Sequence, residues 1–68
     1  RKGLFKDAIT TLESAAQKQP NIAVIHYHLG MSYAGAGMPD KAAEQLKVAA
    51  TLEPDGTPLK ESIQAAMR

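Results

Sequence analysis

The chain has 68 residues, a formal net charge of +1, 22% charged residues and 44% hydrophobic residues. That is enough for one small domain, and a chain of this size hides only about 60% of the surface its unfolded form exposes. The near-zero charge lacks the basic footprint that a nucleic-acid partner requires. No apolar run approaches the roughly 20 residues of a membrane span, and the absence of cysteine excludes disulfides and thiolate metal sites. The chain opens on Arg1 and has no signal-peptide pattern, so it reads as a piece of a longer protein with any targeting segment outside it. The lack of cysteine does not choose between cytoplasm and periplasm. The Ala- and Gly-rich style hints at a bacterial source.

In chain order, Gly3 to Lys18 comes first. Leu4, Phe5, Ala8, Ile9, Leu12, Ala15 and Ala16 make one apolar stripe at helical period, with Lys6, Asp7, Thr10, Glu13 and Gln17 opposite. Pro20 ends this helix, because proline disfavours the α region at the residue before it. Asn21 is an expected N-cap for the next helix, Ile22 to about Ala34. That helix carries two stripes: Ile22, Ile25, Leu29 and Tyr33 on one side, and Val24, Tyr27, His28 and Met31 on the other. A helix apolar on two sides packs on both, or packs on one and binds with the other. Gly30 lies mid-helix, where glycine costs roughly 1 kcal/mol relative to alanine, so close approach of a neighbouring helix is expected there.

Gly35-Ala36-Gly37 predicts a turn that closes a helix C-terminus, and Pro39 and Asp40 suit the first turn of the helix that follows. Lys41 to Leu52 carries Ala42, Ala43, Leu46, Ala49 and Ala50, small enough at Ala42 and Ala49 for a partner helix to approach closely. Glu53-Pro54-Asp55-Gly56 is the next break. Thr57 and Pro58 read as N-cap and first residue of a last helix. Its apolar face is Leu59, Ile63, Ala66 and Met67, and its polar face Lys60, Glu61, Ser62, Gln64 and Arg68. No strand pattern and no flexible linker is present.

A periodicity overlies these elements. Gly3, Ala8, Leu12, Ala15 and Pro20 recur as Gly37, Ala42, Leu46, Ala49 and Pro54, each pair 34 residues apart. A fixed period of that size marks a stacked-repeat architecture. The stretch Asn21–Pro54 resembles a tetratricopeptide repeat, a helix-turn-helix unit of the same length. The family's Leu-Gly pair, aromatic, Gly, Ala, Ala and Pro fall on Leu29-Gly30, Tyr33, Gly37, Ala42, Ala49 and Pro54. Two positions depart: His26 stands where Trp is commonest, and Leu46 where a large aromatic is usual. Residues 1–20 look like the second helix of a preceding repeat, 21–54 like one complete repeat, and 55–68 like a C-terminal capping helix.

The resemblance implies an all-α fold of antiparallel helix-turn-helix repeats, four helices in all, stacked as a short right-handed α-solenoid. It assigns Leu29, Gly30, Tyr33, Gly37, Ala42, Leu46, Ala49 and Pro54 to packing within and between repeats. It also implies a protein or peptide partner, bound in a groove lined by the first helix of the repeat. Here that surface is Val24, Tyr27, His28, Met31, Ala34 and Gly35. The Lys, Asn and Arg side chains with which one subgroup grips chaperone carboxylate tails are absent, so an apolar or amphipathic segment is the expected occupant. Alternatives are a capping or oligomerisation segment, or a regulatory part of an enzyme whose catalytic domain lies elsewhere. The Leu4, Phe5 and Ile9 stripe lacks its intra-repeat partner, which predicts self-association as a homo-oligomer.

No residue pattern carries catalysis or a cofactor. His26 and His28 point about 200° apart on a helix and cannot chelate one metal ion, since metal helices use i, i+4. His26 is expected between the paired helices, His28 in the groove. The acids form no pair on a buried face, Ser14, Ser32 and Ser62 lack a nearby base, and the glycines between Gly30 and Gly37 follow no strand that could make a phosphate loop. Glu44 and Lys47 are spaced to pair, and the lysines, Lys60 included, are expected on a solvated surface.

Overall fold

A computed structural model describes residues 2–68, with the side chains described from Leu4 onward. Among the described residues the chain is all α-helical: α1 (Lys2–Lys18), α2 (Ala23–Gly35), α3 (Pro39–Leu52) and α4 (Pro58–Ala66). Connections are short. α2 sits in the middle, packed most extensively on α3 and next on α1, while α4 meets α3 and, at fewer points, α2. The contacts run antiparallel: His26 meets Gln45 and Gly30 meets Ala42 and Leu46, while Phe5 meets Gly35 and Glu13 meets Tyr33.

Each helix end has its own device. α2 starts one residue later than the Asn21 cap would place it: Ile22 is the extended flanking residue, φ −104° and ψ 106°, and no side chain caps the helix. The reason lies in the imidazole of His26, whose Nε2 donates to the Pro20 carbonyl at 2.7 Å and pins the entry of the chain. The expected turn after α2 forms as a Schellman motif: Met38 N–H donates to the Tyr33 carbonyl at 2.9 Å and Gly37 N–H to Ala34 at 3.1 Å. Gly37 takes the left-handed φ of +78°, which Gly35, the last residue of α2, does not. Gly56, in the turn before α4, also takes a left-handed φ of +90°. Thr57 caps α4 as its sequence predicts, accepting from Lys60 N–H at 3.0 Å.

Lys60 departs from expectation. Its side chain is 13% exposed and turns inward, where Nζ donates to the carbonyls of Ala50 at 2.7 Å and Glu53 at 2.9 Å and pairs with Asp55 at 3.0 Å. A cation on the orphan carbonyls at a helix C-terminus satisfies both hydrogen bonding and the helix dipole. The Glu44–Lys47 spacing makes no ion pair. Met67, expected on the apolar face of α4, is the residue after the helix and is 48% exposed.

The buried hydrophobic residues are Ala23, Leu29, Tyr33, Ala42, Leu46, Ala49 and Ile63, Gly30 is buried beside them, and His26 is the one buried polar side chain among those described. Gly30 marks the close contact between α2 and α3. A Cβ there would lie 2.9 Å from Leu46 Cγ and 3.2 Å from the Ala42 carbonyl oxygen. The expected close approach of a helix is therefore present, and α3 is the helix. Leu29, Gly30, Tyr33, Ala42, Leu46 and Ala49 are all buried. Gly37 and Pro54 are exposed and serve the chain path instead, one as the left-handed turn and the other following Glu53 at the end of α3.

Gly30→Ala therefore sets a helix-propensity gain of about 1 kcal/mol against an overpacking cost of about 1–3 kcal/mol. Because the Ala42 carbonyl belongs to the backbone and cannot turn aside, the expected outcome is a net loss in urea denaturation. A gain in stability would contradict the contact.

Candidate functional site

The exposed side of α2 follows from its helical register. Leu29, Tyr33, His26, Ala23 and Gly30 turn towards α1 and α3, and the opposite side is left uncovered. Val24 is 40% and Met31 41% exposed, His28, Ala34 and Gly35 are exposed, and Tyr27 is half-buried. The six residues assigned to a groove thus share the uncovered side of α2. The rings of Tyr27 and His28 lie 5.4 Å apart, tilted by 54°.

That side continues into a trough between α2 and α1, an apolar opening of about 730 Å³. His28, Met31, Ala34 and Gly35 line it from α2, and Phe5, Ala8 and Leu12 from α1. None of these side chains is a lysine, arginine, aspartate or glutamate. The α1 wall was assigned to self-association rather than to the groove, and the Phe5 ring accounts for the join. It lies directly over the Cα of Gly35, where a Cβ could not fit. Gly35 is therefore a seat for Phe5 as well as part of the trough. Of the stripe expected to drive self-association, Leu4 is 65% exposed, Phe5 is half-buried, and Ile9 is half-buried against the Leu29, Tyr33 and Ala42 cluster.

Polar side chains hold this frame from the other side of α2. The Tyr33 hydroxyl donates to Glu13 of α1, and the Lys41 ammonium stands 5.8 Å from the Tyr33 ring centroid. Nδ1 of His26 bonds the Gln45 side-chain amide of α3 at 2.7 Å. Glu13 stands on the polar side of α1, and its position opposite Tyr33 across two helices carries no local signal in the sequence. His26 lies between the helices as expected, and its two ring nitrogens bond the Pro20 carbonyl and the Gln45 side chain. No buried side-chain polar atom among the described residues lacks a partner.

Burial first, then the Glu13 hydrogen bond and charge, push the Tyr33 phenol up from 10.0 to about 12. Among the described residues there is no cluster of three or more metal-binding side chains, and no helix is long and apolar enough to cross a membrane. No protein-family model matches this chain, and comparisons with curated proteins and with solved structures return no match.

The Tyr33 shift has a definite sign. The folded state holds the protonated phenol more tightly than the unfolded state, so this stability is complete below pH 10 and is lost as pH rises towards 12. Tyr33→Phe should cost about 1 kcal/mol at neutral pH and remove the loss of stability between those limits. Urea denaturation of both chains at neutral and alkaline pH checks this; equal alkaline slopes would contradict it.

Proposed function

We propose that this chain is a protein-interaction module of tetratricopeptide type, a short right-handed solenoid segment that binds an apolar or amphipathic peptide or helix. The observation that carries the reading is the uncovered side of α2, where uncharged, half-exposed Val24 and Met31 stand beside an open apolar trough. Large apolar surfaces left open on a folded chain mark interaction sites. Tyr27 and Met31 offer broad, adaptable contact area, one rigid and amphipathic and the other flexible and polarizable. Binding is by shape and apolar complementarity, with neither cofactor nor covalent chemistry. Nucleic acid and membrane insertion form no part of it.

A second reading makes the segment a solenoid cap. It is favoured by α4, whose outward residues Glu61, Ser62 and Gln64 are exposed and polar, as a terminal repeat requires. Tyr27→Ala combined with Met31→Ala separates the two. Loss of partner capture with denaturation unchanged within about 0.5 kcal/mol, the ordinary range for surface changes, supports the groove. A loss of several kcal/mol in stability would assign these side chains to packing.

A further inference from the structure

α1 and α3 both pack on α2 and make no comparable contact with each other. A crevice of about 470 Å³ is left between them, on a different side of α2 from the apolar trough. Leu29 and Tyr33 line it from α2, and Glu13, Ala16 and Gln17 from α1. Gln45 closes the α3 side, held in place by Nδ1 of His26 at 2.7 Å. Glu13 and Gln17 are exposed and stand one helical turn apart, while Gln45 is half-buried. The Tyr33 hydroxyl gives its proton to Glu13, so its oxygen is left able only to accept. The carboxylate beside it likewise only accepts, and among the described residues it forms no ion pair. No lysine or arginine lines the crevice among those residues. The negative charge is felt at Tyr33, whose phenol burial first, and then Glu13 and Glu44, push up to about 12. Lys41 stands 5.8 Å from the Tyr33 ring centroid, over the ring rather than on the carboxylate.

We infer that this crevice is a binding site for a guanidinium group, the side chain of an arginine that a partner peptide lays between α1 and α3. The site is separate from the trough and does not rest on its reading. A guanidinium presents only donors, arranged in a planar fork. Glu13 and the Tyr33 oxygen present only acceptors, side by side, so the two sets meet without either changing its hydrogen bonds. The Gln17 side-chain oxygen, one turn along α1, takes a further N–H, a spread that suits the fork better than a compact ammonium. Ala16 and Leu29 supply apolar surface for the methylene stem, which arginine buries while its head stays at the water. Small-molecule sites enclose most of their ligand. A crevice whose Glu13 and Gln17 are exposed does not, and it fits a group tethered to a larger partner. An anionic side chain is rejected by the charge of Glu13.

The probe is a capped Gly-Gly-Arg-Gly-Gly peptide, compared with the same peptide carrying lysine or citrulline, the neutral isostere, in place of arginine. NMR titration of the isotopically labelled chain, read at the side-chain amides of Gln17 and Gln45, should show saturable arginine binding below about 10 mM, weaker by about tenfold for citrulline and by several-fold for lysine. Glu13→Gln keeps an acceptor for the Tyr33 hydroxyl and removes the charge, and it should bring the arginine peptide down to the citrulline level. Glu61→Gln, exposed on α4, should change nothing. Equal binding of the arginine and citrulline peptides would overturn the inference. Equal binding of arginine and lysine would overturn it too, by reducing the site to a point charge. Arginine binding that survives Glu13→Gln, or that falls as far with Glu61→Gln, would place the peptide elsewhere and have the same force, as would the absence of saturation. The citrulline comparison needs no altered chain, so misfolding of Glu13→Gln cannot rescue the idea. Each of these failures leaves the trough and its Tyr27 and Met31 test untouched.

Discussion

The spacing of α2 on α3 is set by the contact between Gly30 and Leu46. With no Cβ in the way, the backbones of α2 and α3 close until the leucine side chain and the Ala42 carbonyl rest against the glycine. Helix axes can approach to the short end of the usual range of about 8–10 Å only where such residues meet. Ala42 and Ala49 become buried as a consequence, and the short Schellman turn at Gly37 can join the two helices without an extended loop. The cost of a mid-helix glycine is offset by packing, since interior surfaces lose dispersion contacts steeply with any gap.

Around that pair the structure relies on a small number of polar fasteners rather than a deep core. Ile63 is the only large side chain fully buried among the described residues. His26 ties the connector at Pro20 to α2 and α3, Glu13 and Tyr33 tie α1 to α2, and Lys60 closes the end of α3 while it begins α4. In a chain this short, where surface outweighs volume, each such link orders two elements at once. The loss of one should be felt beyond its own hydrogen bonds.

The two ends of the structure differ in surface chemistry. The α4 end presents glutamate, serine and glutamine, and the α1 end presents an uncharged trough and an exposed Leu4. α2 spans the middle with one side packed on α1 and α3 and the other open.

Much of the fold is legible in the residues themselves. Helical period, proline stops, glycine turns and the 34-residue echo fix four helices and their order, because these signals act within one or two turns of chain. Gly30 even announced a close neighbour, since a costly residue at a helix centre demands compensation. What the tertiary structure alone decided are the contacts between residues far apart in sequence. Glu13 on Tyr33, Phe5 over Gly35, the inward turn of Lys60 and the start of α2 at Ala23 all depend on where a second helix lies. Local propensity is blind to that position, and a side chain with several rotamers takes its direction from whichever partner the packed helices bring within reach.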